Sequence, residues 1–146
     1  MRIEALEDLR KLRVEIEKCV EMEEAFRSAA ERMTNLLSGM PTGGTKKISR
    51  IEEYTLKLVQ TQAGRRNLEL EFLTLQMQWR ARISSAIDDK IIRQVLFKRY
   101  IDGESWQQIA VDLNCSERQL FRFNRKGLKL VAQHYNLVSN LSVTCQ

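Results

Sequence analysis

The stretch GESWQQIAVDLNCSERQLFRFNRKG, Gly103 to Gly127, decides how this chain reads. It holds two short apolar rhythms with a polar break between them. Ser105 precedes the first rhythm and Gln108 follows three residues later, the pattern of a capping box that closes the first turn of a helix. Trp106, Ile109, Ala110 and Leu113 recur at i, i+3, i+4 and i+7, which lays one apolar face along about two helical turns. Asn114-Cys115 interrupts the run, and Asn is one of the few non-glycine residues that tolerates left-handed backbone angles. Ser116 and Gln119 then repeat the capping-box spacing. Two helices joined by so short a corner form a helix-turn-helix.

The second helix of that pair is two-sided. At 100° per residue Leu120, Phe123, Gly127 and Val131 gather on one flank, and Arg118, Arg122, Arg125 and Lys129 gather on the other. Ala110 is small where the two helices must cross closely. An apolar back and a front of long cationic donors suit a helix laid in a DNA major groove about 12 Å wide. The alternative is an ordinary solvated basic face; its position on the second helix of the motif favours DNA.

Roles follow from reach along the helix predicted over 117–131. Glu117, Arg118, Phe121 and Arg122 lie in the first turns and are the candidates for base edges. Arginine can pair bidentately with guanine, Glu117 can accept from cytosine, and Phe121 can touch a thymine methyl. Phe121 has an equal alternative, packing on the first helix of the C-terminal trio. Arg125, Lys126 and Lys129 lie further along and suit phosphate contacts, and the helix starts at Ser105 and Ser116 offer backbone N–H groups to phosphate.

Before this motif a helix is expected from Asp88, whose carboxylate caps it, burying Ile91, Ile92, Val95, Leu96 and Tyr100 and ending at Asp102-Gly103. Further upstream the periodicity is that of a coiled coil. From Leu9 as position a, the seam runs through Leu12, Ile16, Cys19, Glu23, Phe26, Ala30, Met33 and Leu37, apolar or small except at Glu23. The segment 38–47, SGMPTGGTKK, reads as a loop because of its glycines and the sole proline, Pro41. A second seam follows at Ile51, Tyr54, Leu58, Leu68, Phe72, Leu75 and Trp79, weakened by Thr61 and Arg65, with Gly64 expected to loosen the helix. Residues 1–86 thus read as an antiparallel helical hairpin for oligomerisation, 87–137 as the helix-turn-helix domain and 138–146 as a flexible tail. Whether the hairpin closes on itself or on a second copy stays open.

Charge is unevenly placed. The formal net charge is +5, yet Met1–Leu37 carries seven basic and nine acidic residues, a net of −2, while Ser116–Lys129 carries five basic and one acidic, a net of +4. An anionic partner is therefore expected at the C-terminal motif. Cys19, Cys115 and Cys145 are widely spaced and form no CxxC pair, so neither a disulfide framework nor a zinc site is expected. No apolar run approaches membrane-spanning length and no secretion signal is visible, which implies no membrane partner.

Catalytic patterns are lacking. His134 is the sole histidine, and no nucleophile–base pair, HExxH or dinucleotide loop is visible. Gly39 and Gly44 mimic the glycines of a phosphate-binding loop, but Thr-Lys stands where Lys followed by Ser or Thr is required and no strand precedes it. Adjacent Asp88 and Asp89 point 100° apart on a helix, which fits capping better than a metal. The expectation is a non-enzyme with no cofactor and no metal.

The run from Lys98 to Val131, KRYIDGESWQQIAVDLNCSERQLFRFNRKGLKLV, resembles the region-four helix-turn-helix of bacterial sigma factors, through RYIDGxSWxxIAxxL, the Ser-initiated second helix and GLKLV. The whole chain is similar to small phage proteins of the ArpU/RinA type, with their helical hairpin, glycine loop and C-terminal motif. The resemblance implies an all-α regulator that activates late phage genes in the cytoplasm of a bacterial host, binding double-stranded DNA as a dimer or tetramer. It implies base readers at 117, 118, 121 and 122, with Phe121 departing from the polar residue usual there. No counterpart of the promoter-melting sigma region is visible, so recruiting or assisting host RNA polymerase is the implied role. Two alternatives stand beside it: a small terminase-like DNA-packaging recognition subunit, and a polymerase-docking interaction module.

Overall fold

The computed structural model describes residues 3–38 and 44–143. Its elements are α1 (Glu4–Leu37), α2 (Gly44–Ala86), α3 (Lys90–Leu96), a π-helical turn (Phe97–Asp102), α4 (Trp106–Asp112) and α5 (Glu117–Val143). The fold is all-α, and two long N-terminal helices are followed by a helix-turn-helix, as the periodicity predicts. Gly39, Pro41 and Gly43, which carry the expected loop, lie outside the described residues, as does Cys145. α2 starts at Gly44, so the helix takes in part of the stretch 38–47 read as loop; Lys46 and Lys47 are good helix formers. α5 likewise runs on to Val143, past the tail boundary at 137, since neither Gly nor Pro interrupts it after Gly127.

The chain divides into two compact units, Leu12–Phe72 on the one hand and Met1–Lys11 with Leu73–Gln146 on the other. In the unit Leu12–Phe72, α1 and α2 face each other along the two seams. Leu12, Ile16, Cys19, Phe26, Ala30 and Met33 are half-buried, and so are Ile51, Tyr54, Leu58, Leu68 and Phe72. The cross-helix contacts set the direction: the Arg13 guanidinium lies 5.3 Å from the Phe72 ring centre, Glu23 pairs with Arg65, and the Phe26 and Tyr54 rings are 6.5 Å apart. Partner numbers fall along α2 as they rise along α1, so the helices are antiparallel. Two helices shield a seam from one side only, which leaves these apolar residues partly open to water. α2 is unbroken at Gly64, against the expected loosening; a single glycine is carried by the cooperativity of a long helix.

The other unit holds the buried apolar core. Leu6, Leu9, Trp79, Ile83 and Ile87, from the ends of the long helices, belong to it together with Ile92, Val95, Leu96, Ile101, Ile109, Leu120, Leu128 and Val131. α3 is capped by Asp89, whose Oδ1 accepts from the backbone N–H groups of Ile91 (2.9 Å) and Ile92 (3.3 Å). The cap is thus Asp89 and not Asp88. The shift leaves Ile91 in the first turn on the outer side, 47% exposed rather than buried, while Ile92, Val95 and Leu96 pack inward. The π-helical turn that follows adds a residue per turn and so brings both Tyr100 and Ile101 inside. Gln76 Nε2 donates to the Ile101 carbonyl at 3.1 Å, tying α2 to the turn. Gly103, at φ 77°, ends the turn in the left-handed region where a Cβ is costly.

Candidate nucleic-acid interface

The helix-turn-helix is built from local chemistry first. Ser105 Oγ accepts from the Gln108 backbone N–H at 3.3 Å, and Gln108 Oε1 accepts from the Ser105 N–H at 3.0 Å. Ser116 and Gln119 repeat the same box, with the same two distances. At the corner between them Asn114 adopts φ 49°. The Asn114 and Cys115 N–H groups donate back to the Val111 (3.2 Å) and Ala110 (3.0 Å) carbonyls. The corner therefore leaves the Ala110 and Val111 carbonyls of α4 satisfied and turns the chain directly into α5.

Packing then fixes which side of α5 faces out. Leu120, Ile109 and Val95 are fully buried against one another, with Trp106, Ala110, Leu113, Cys115 and Phe123 packed around them. The apolar flank of α5 is held by α3 as well as by α4. A Cβ on Gly127 would lie 2.9 Å from Ile92 Cγ2 and 2.9 Å from Leu96 Cδ1, so α5 crosses α3 at a contact only glycine permits without rearrangement. Leu128 and Val131 extend the buried flank.

With that flank locked, Arg118, Arg122, Arg125, Lys126 and Lys129 are all exposed. At 100° per residue they occupy an arc of about 100°. Among the described residues none of the five pairs with a carboxylate, so their charges add into one positive ridge. Glu117 is exposed at the head of the same helix. Ser105 and Ser116 are also exposed, but their own N–H groups and those of Gln108 and Gln119 are used within the capping boxes. A phosphate at either start would have to use the other N–H groups of the first turn.

Phe121 sits apart from the ridge. Its ring is 5.0 Å from that of Trp106 at 58°, a tilted aromatic pair, and it remains 46% exposed. The structure thus packs Phe121 on Trp106 of α4, not on the first helix of the trio. The Trp106 ring also carries the Arg99 guanidinium, 4.7 Å from the ring centre, and Arg99 Nη1 donates to the Glu104 carbonyl at 3.0 Å. Lys98 bridges Glu104 (3.0 Å) and Asp112 (2.8 Å), clamping the π-helical turn to the end of α4. These two carboxylates raise the Lys98 pKa.

Arg99, Lys98 and the glycine crossing were not singled out as structural keys from sequence. For Gly127 a signal existed, since a glycine inside the apolar arc of an otherwise strong helix marks a close approach. The π-helical turn has no such signature. The described helices include none long and apolar enough to cross a membrane, and no group of three or more His, Cys, Asp or Glu among the described residues could hold a metal ion. Comparisons with known protein families, with curated proteins and with solved structures find no match for this chain.

Proposed function

We propose that this chain is a sequence-specific DNA-binding regulator of transcription that lays α5 in the major groove. The observation that carries this reading is the ridge of five cations on α5, unpaired among the described residues, on the far side of a helix whose back is buried against α3 and α4. A rigid helix with outward arginines in its first turns suits direct base readout, and cations further along suit phosphates. Arg118 and Arg122, with Glu117, are the proposed base readers; Arg125, Lys126 and Lys129 are the proposed phosphate contacts. The half-exposed seam of the helical hairpin supports pairing with a second copy, which would present two such helices to half-sites about one DNA turn apart. The sigma-like run from Lys98 to Val131 supports action beside a bacterial host RNA polymerase, and the overall similarity to late-gene regulators of phage supports activation of such genes.

The test is footprinting of the full chain on the DNA of its own genome. A discrete protected site is expected, lost in the Arg118→Ala, Arg122→Ala double variant. A bidentate arginine–guanine pair contributes about 1–3 kcal/mol of discrimination, so each single variant should weaken the site roughly 10- to 100-fold. An unchanged footprint in the double variant would remove these two residues as readers.

A further inference from the structure

Beside the recognition helix, in the unit that contains it, lies a cleft of 470 Å³ lined among others by Glu7, Arg10, Arg99, Trp106, Phe121 and Asn124. Its charge is not balanced. Arg10 and Arg99 bring two guanidinium groups, and the one carboxylate among the described lining residues, Glu7, is 3.6 Å from Arg10, a loose pairing. One positive charge is left over.

Arg99 is the pre-set member of the pair. Its guanidinium is stacked on Trp106 and anchored to the Glu104 carbonyl, so little side-chain freedom remains to be lost on binding. Burial, and after it the charge of Arg10, lowers the Arg99 pKa below the ordinary arginine value. An anion between the two arginines would offset the repulsion between them. Asn124, on the same wall, holds its Oδ1 shut off from solvent with no hydrogen-bond partner. The buried end of the carboxamide is thus its oxygen, and the end left accessible is the Nδ2 donor. Two guanidinium groups and an amide donor around an aromatic floor make the donor set for a tetrahedral oxyanion.

We infer that this cleft is a phosphate site, with Arg10 and Arg99 as the ligating pair and Asn124 as a third donor. The phosphate has two sources with the same chemistry, a free phosphate or nucleotide, or a backbone phosphate of DNA passing the edge of α5. The inference does not depend on the proposed readers Arg118 and Arg122.

Calorimetric titration of the full chain with inorganic phosphate, then with a nucleoside monophosphate, separates the sources from a third arm, phosphate-ethylation interference on a bound duplex. Binding of inorganic phosphate with a Kd on the order of 1 mM, weakened about tenfold or more by Arg10→Gln and by Asn124→Asp, supports a free ligand. No binding of either small molecule, but loss of one interfering phosphate on the duplex in Arg10→Gln, supports the DNA backbone. Arg10 is exposed, so Arg10→Gln decides the matter even if Asn124→Asp fails to fold, and circular dichroism checks both variants. Absence of phosphate binding in all three arms, or binding indifferent to Arg10→Gln, overturns the site.

Discussion

Arg65 of α2 reaches across the hairpin to Glu23 of α1, with Nε 2.5 Å from the carboxylate, so the one polar residue in the first seam meets the charged residue in the second. Glu23 is only 6% exposed. Arg65 also holds Glu69, 2.5 Å away on its own helix, and these two carboxylates raise its pKa, Glu23 foremost. The pair is therefore asymmetric. Arg65→Leu strands a buried carboxylate, whereas Glu23→Leu leaves Arg65 its second partner. Thermal melts should show Arg65→Leu lowering the midpoint by about 5 °C or more, Glu23→Leu by less, and the double leucine variant recovering most of the loss. Equal losses for the two single variants would contradict the asymmetry.

Gly64 and Gly127, each inside a long helix, should answer the same substitution with opposite signs. Nothing lies within 4 Å of a Cβ on Gly64, so Gly64→Ala should gain close to the full helix-propensity difference, about 1 kcal/mol. Gly127→Ala gains the same propensity but drives a methyl into Ile92 and Leu96, both essentially buried. Overpacking of about 1–3 kcal/mol should exceed the gain and leave the variant less stable. Urea unfolding of the two variants decides the signs.

Phe121 should behave as a packing residue. Phe121→Ala removes the tilted contact with Trp106 and should cost about 1 kcal/mol of stability. Base preference, measured by selection from a random duplex library, should be unchanged. A preference altered at a thymine position would restore Phe121 as a base contact.

Arg125 and Lys129 stand on the ridge beyond the first turns, where phosphate contact is expected. Arg125→Ala and Lys129→Ala should each weaken specific and non-specific duplexes alike and reduce the slope of log K against log salt by about 1. A loss confined to one DNA sequence would assign the residue to base readout instead.

The Lys98 clamp gives a pH signature. Its hydrogen-bonded contact with Asp112, then that with Glu104, raises the folded-state pKa above the ordinary lysine value of 10.5. A lysine with a raised pKa stabilises the fold fully below 10.5 and loses that contribution as pH rises through the folded value. The stability difference between the wild type and Lys98→Gln should therefore stay level from neutral pH towards 10.5 and shrink above it. Denaturant midpoints measured across that range test this, and a difference that grows above 10.5 would reverse the sign.

What the sequence alone determined were features written within about four residues of one another. The Ser105–Gln108 and Ser116–Gln119 boxes, the left-handed Asn114 corner, the two heptad seams and the two-sidedness of α5 all rest on such short spacings. The tertiary structure alone decided matters between distant residues. That α3 clamps α5 at Gly127, that Glu23 finds Arg65, that a π-helical turn brings Ile101 inside, and that Arg10 and Arg99 share one cleft depend on how helices cross. A crossing is set by the joint packing of many side chains, and no short spacing encodes it.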